Sequence, residues 1–181
     1  MKVTPYQQDF ILHFGEMGSR WGISRTVGQI YALLFITEQP LNADDIVRAL
    51  GFSRSNVSMG LKELQSWRLI QPQHLPGDRR EYYRAPEDIW QIFRTLVEER
   101  RKREIDPTLS MLRNALMNDR TGTDDEYAQA RMQDMQSLIE LTTDWLDDVQ
   151  HLERGTAIKL MKLGGGVSKL IAGRGKRAGN S

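Results

Sequence analysis

The sequence predicts a mostly α-helical protein with one small β-hairpin, and three observations carry that reading. Apolar residues recur at helical spacing over most of the chain. Two short helices, each opened by a capping residue, are joined by a turn containing glycine. Directly after them, Leu75-Pro76-Gly77-Asp78 separates two extended segments. Pro-Gly supplies the fixed φ and then the positive φ that a type II turn demands.

A first helix is expected over residues 5–18, with Pro5 at its start and Phe10, Ile11, Phe14 and Met17 on one face. Gly22 or Gly28 separates it from a second helix through Ile30-Tyr31-Ala32-Leu33-Leu34-Phe35-Ile36. That run is apolar on every side, so it should be the buried centre of its domain. Next, Asn42 can cap a third helix, with Asp44 and Asp45 in its first turn and Leu41 stapled to Ile46. This helix stops at Gly51. Ser53 then repeats the start signal, with Phe52 stapled to Val57, so the pair reads as a helix-turn-helix.

Projected at about 100° per residue, the fourth helix puts Val57, Leu61 and Leu64 inward and Ser55, Met59, Lys62 and Ser66 outward. No acidic residue occurs from Ile46 to Lys62. A short, polar and basic outer face suits entry into a DNA major groove. The hairpin strands, 69–74 and 80–84, carry Arg79 and Arg80 at the tip, which makes the unit a winged helix-turn-helix.

Glu87 opens a long helix with Ile89, Trp90, Phe93, Leu96 and Val97 on its apolar side. Pro107 should end or kink it, and Leu109, Leu112 and Leu116 continue the pattern. After a break at Thr121-Gly122-Thr123, a last helix carries a seam of Met135, Leu138, Thr142, Trp145, Val149 and Leu152, a spacing suited to helix association. Gly164-Gly165-Gly166 breaks the chain, and a disordered basic tail is expected beyond it. The expected organisation is a DNA-binding domain over 1–86, a helical dimerisation and effector region over 87–163, and a tail over 164–181.

Charge divides in the same way. The net charge of +1 conceals a balance of +4 between Ile46 and Pro86 and −8 between Ile105 and Glu153. A partner feels the local balance, because screening limits the reach of charge to roughly 10 Å. Cysteine is absent, and His13, His74 and His151 have no ligand spacing, so neither a metal site nor any cofactor is expected. The longest charge-free stretch, Thr26–Thr37, is too short to span a membrane, and the N-terminus lacks a signal peptide, so a cytoplasmic location is expected. Enzyme motifs fail as well. Gly51-Phe52-Ser53-Arg54-Ser55 is no nucleophile elbow, and the acidic pairs are sequence neighbours that point apart on a helix.

The run from Gly28 to Tyr83, with S-R-S-N-V-S and L-P-G-D-R-R-E-Y-Y within it, resembles MarR-type winged-helix regulators, and most closely their GbsR branch. The resemblance implies a ligand-responsive homodimeric repressor reading a pseudo-palindrome in double-stranded DNA, with Asp78 and Arg80 acting as a unit in the wing. The candidate DNA-binding residues are Ser53, Arg54, Ser55, Asn56, Ser58, Met59, Lys62, Asp78, Arg79 and Arg80. Trp21, Tyr31, Trp90 and Trp145 are candidates for an aromatic cage around a cationic effector such as a quaternary amine. Two other readings stay open: an architectural, nonspecific DNA-binding protein, and a winged helix that binds protein.

Overall fold

The computed structural model describes residues 3–20, 22–117, 126–160 and 162–163. In chain order the elements are α1 (Pro5–Arg20), α2 (Arg25–Ile36), β1 (Leu41–Asn42), α3 (Ala43–Leu50), α4 (Arg54–Ser66), β2 (Gln71–His74), β3 (Glu81–Arg84) and α5 (Ile89–Arg100). A π-helical turn (Arg101–Ile105), α6 (Asp106–Met117) and α7 (Glu126–His151) follow. The chain divides into two compact units, Met1–Glu99 and Arg100–Ser181. The fold is mostly helical with a small antiparallel sheet, as expected.

In the first unit α2 is the centre. Ser24 caps it by accepting a hydrogen bond from the Val27 amide at 3.2 Å. Ile30, Ala32, Leu33 and Leu34 are buried, and α1 and α4 pack over them. The approach of α1 to α2 requires glycine at position 28: a Cβ there would stand 2.8 Å from the Phe14 carbonyl oxygen. Backbone cannot yield at that distance as a side chain can.

The helix-turn-helix forms as its caps dictate. Asn42 accepts from the Asp45 amide at 3.0 Å, and Asp45 accepts from the Asn42 amide at 3.2 Å, a reciprocal capping box. Gly51, at φ 71°, ends α3 in the left-handed conformation. Ser53 accepts from the Asn56 amide at 3.2 Å and opens α4, which buries Val57, Leu61 and Leu64.

The sheet has three strands in the order β1-β3-β2, one more than the hairpin alone. Leu41 and Asn42 pair with Tyr83 and Tyr82. Leu41 is thus a buried strand residue as well as the neighbour of a cap. The reason is local: Asn42 must be extended to cap α3, at φ −88° and ψ 170°, and extended backbone is ready to pair.

α5 starts at Ile89 rather than Glu87, and Asp88 accepts from the Trp90 amide at 3.0 Å. Its inward stripe is Ile92 and Leu96, whereas Ile89 and Phe93, expected on the apolar side, are exposed. The same stripe carries the buried Glu99, whose carboxylate lies 3.8 Å from Arg68. Arg68 itself adopts a positive φ of 55° just past α4.

In the second unit α6 packs on α7 through Leu109 and Leu112. Arg113 reaches Glu140 at 2.8 Å, and Arg101 pairs with Asp147. Pro107 does not end the helical run. The π-helical turn lies immediately before it, and its wider spacing accommodates a residue that has no amide hydrogen to donate. Of the expected seam, Met135, Leu138, Thr142 and Trp145 on α7 are exposed and Val149 is already buried, while Leu152, half-buried, lies just past the end of α7. The break at 121–123, Trp21 and the basic tail lie outside the described residues.

Gly28→Ala should destabilise the protein by ~1–3 kcal/mol, since it forces two backbones apart. A denaturant midpoint measured against the unchanged protein checks this.

Candidate nucleic-acid interface

Two elements of the first unit project the candidate reading residues. The first is α4. Its inward face is fixed by Val57, Gly60, Leu61 and Leu64, which leaves Ser55, Ser58, Met59 and Lys62 on the solvent side. Met59 is 69% exposed, which is unusual for a side chain with only a packing role and natural for a contact surface. Arg54 and Asn56, in the first turn, are exposed as well. Ser53 is different. Its hydroxyl is engaged in capping and lies 3.0 Å from that of Ser55, so it shapes the start of the helix.

The second element is the wing. Gly77, at φ 80°, and the hydrogen bond from the Asp78 amide to the Leu75 carbonyl at 3.1 Å close the turn anticipated from Pro76-Gly77. Asp78 then organises the tip. It accepts from the Arg80 amide at 2.9 Å, from the Arg80 guanidinium, and from the Tyr82 hydroxyl at 2.8 Å. The Arg80 guanidinium carbon also lies 5.6 Å from the centre of the Tyr82 ring. Arg79 is exposed and makes no ion pair among the described residues. The wing therefore presents one arginine held in a fixed direction and one that can move.

These contacts set the electrostatics. The Arg80 side chain and amide, together with the Tyr82 hydroxyl, hold the Asp78 carboxyl far below the usual carboxylate range, and Arg80 is raised in turn. A depressed carboxyl pKa means the pairing is complete above the ordinary aspartate range and fails only well below it.

Two features of this unit have no local signal in the sequence. Asp44, in the first turn of α3, reaches Arg54 at 2.8 Å across the turn. The other is a cavity of about 260 Å³ lined by Phe14, Ile23, Tyr31, Leu64, Ile92 and Leu96, among others. The cavity wall is wholly apolar, and the Tyr31 hydroxyl, although on a lining residue, is buried away from that surface with no hydrogen-bond partner among the described residues. Burial pushes the Tyr31 phenol up to about 12, so it is a neutral donor. Of the four cage candidates, Tyr31 lines this cavity, Trp90 packs edge-to-face on Phe93, and Trp145 lies in the second unit. Trp21 lies outside the described residues.

Among the described residues no cluster of three or more metal-ligating side chains occurs, and no helix is long and apolar enough to cross a membrane. The basic cluster at 100–103 is divided between partners: Arg100 pairs with Glu104 at 3.1 Å, and Arg101 with Asp147 on α7.

Comparison with known proteins agrees with this geometry. Residues 12–81 match the model of the MarR family. The putative HTH-type transcriptional regulator YvaV of Bacillus subtilis is 20% identical over 82% of this chain and 84% of its own. The HTH-type transcriptional repressor GbsR of the same organism is 23% identical over 52% of each chain. A solved structure of a transcriptional regulator superposes with a TM-score of 0.68 at 18% identity, covering 81% of this chain and 96% of that one.

The Arg80 Nε–H signal in nuclear magnetic resonance should keep its hydrogen-bonded shift down to about pH 4, where an ordinary aspartate is half protonated. A shift that titrates at that pH would show the wing to be loose. With the turn, the capped α4 and the wing all present, the first unit is a winged helix-turn-helix, and its residues 12–81 are the ones that match the MarR family model.

Proposed function

We propose that the chain is a sequence-specific DNA-binding transcriptional regulator, a cytoplasmic homodimer that acts as a repressor and responds to a small molecule. The observation that carries it is the outward face of α4. Residues 53–62 are all exposed except for Val57, Gly60 and Leu61, and a basic wing tip accompanies them. A helix that served only as packing has no need of a polar, cationic outward face with no acidic residue of its own, in the same unit as an arginine fixed by its neighbours. Kinship with the GbsR branch is part of the proposal, supported by the partial match to that repressor.

Dimerisation is supported by the exposed seam of α7. Leu138 is 65% exposed and Trp145 56%, on a helix whose other face already packs on α6. An apolar stripe of this spacing is stable in water only when a second helix covers it. Two half-sites centred roughly 34–36 Å apart should then bind tightly and one alone weakly. Selecting bound sites from a random duplex pool tests the reading, and recovery of no preferred sequence would refute it. Leu138→Asp should yield monomers by sedimentation and lose the preference for paired half-sites.

The effector reading rests on the cavity beside Tyr31. Wholly apolar walls suit an uncharged, apolar guest. A quaternary amine has only the resemblance to GbsR in its favour, because the cavity offers it no carboxylate. Choline and a neutral aromatic ketone, titrated with and without operator, separate the two. A true effector must show different affinities in the two titrations, by reciprocity.

A further inference from the structure

The stretch from Ile46 to Lys62 has no acidic residue, yet folding brings one carboxylate to it. Asp44 on α3 meets the Nη1 of Arg54, the first residue of α4, at 2.8 Å. Its neighbour Asp45 is fully occupied, completing the capping box with Asn42 and pairing with Arg48. Asp44 takes no part in that cap. Among the described residues, its carboxylate is directed to Arg54 alone.

A cation in the first turn is poorly placed for helix stability, since the dipole there favours negative charge. Arg54 is therefore explained by something other than α4 itself. Its side chain is 75% exposed and that of Asp44 38%, so the pair adds little to folding. What the pair does achieve is orientation. One arm of the guanidinium is held, and the Nη2–Nε edge makes no hydrogen bond among the described residues. That free edge is a planar fork with two parallel donors.

We infer that Arg54 reads a guanine edge in the major groove and that Asp44 is the positioning residue that aims it. The inference rests on the DNA-binding reading above. The paired acceptors O6 and N7 of guanine match the free fork of Arg54. A phosphate matches it less well, because Asp44 would stand beside the phosphate as a like charge. Residues at the N-terminal end of the second helix, Arg54 among them, are also those that approach base edges in this docking geometry. The carboxylate thus favours an uncharged acceptor pair over the backbone and restrains Arg54 from wandering to phosphates on any sequence.

The test uses the full chain and the site recovered from a random duplex pool. Wild type should select a guanine at one position in each half-site that Arg54→Ala no longer distinguishes. Asp44→Ala should relax the same position while binding random duplex two- to fivefold more tightly, as a freed surface cation allows. Its salt slope on random duplex should steepen by up to about 0.9 per subunit. Asp44→Asn, which keeps the shape and an acceptor oxygen, should fall between, and the double variant should match Arg54→Ala. Thermal unfolding accompanies each variant to confirm an intact fold.

Uniform weakening of all sequences by Arg54→Ala would make Arg54 a phosphate contact and overturn the inference. Unchanged preference in Asp44→Ala would remove Asp44 from the reading. Failure of the wild type to select any sequence would instead refute the proposed function itself.

Discussion

The first unit depends on how deeply α2 is buried. A helix as apolar as Ile30–Ile36 has to be covered on several sides, and the cover comes from α1, α3 and α4. Close approach is what makes that coverage complete. Gly28 lets the α1 backbone nearly touch that of α2, and Gly60 lets α4 settle where a Cβ would meet Ile30 at 2.6 Å. Both contacts use missing side chains to bring helices together, so at these two points the helices are packed backbone to backbone or backbone to side chain. The outward face of α4 inherits its direction from this packing.

Features governed by neighbours in sequence are legible in the residues themselves. Asn42, Ser53, Gly51 and Pro76-Gly77 act through their own turns, and each forms as its chemistry dictates. Features governed by contact through space are not. Nothing in the local pattern shows that Leu41 pairs with Tyr83, or that Arg101 meets Asp147 forty-six residues away. The observed phase of α5 departs from the expected one for a related reason. Ile89, Trp90 and Phe93 form as good a stripe as Ile92 and Leu96, and only packing against the core chooses between them.

The same distinction divides the candidate reading residues. That Ser55, Ser58, Met59 and Lys62 face solvent follows from helical geometry alone. That Ser53 is committed to capping, and that Arg54 is held by a carboxylate on another helix, requires the folded chain. Asp44 and Asp45 look equivalent as sequence, since both suit the first turn of a helix. Folding gives one of them to the cap and the other to the surface.

Asn42 belongs to two structures at once. It is paired with Tyr82 in the sheet and is also half of the box that starts α3. Tyr82 in turn donates to Asp78 at the wing tip. The wing and the helix-turn-helix are therefore one mechanical body, joined through a residue that is 3% exposed. Local opening of either would break the other, so the two should exchange their amide hydrogens together as one cooperative unit. A signal arriving from elsewhere in the protein can carry such a body as a whole but has no soft joint within it to bend. In the proposed homodimer, control of DNA affinity would then be a matter of where each body is held relative to its twin, with the shape of each unchanged.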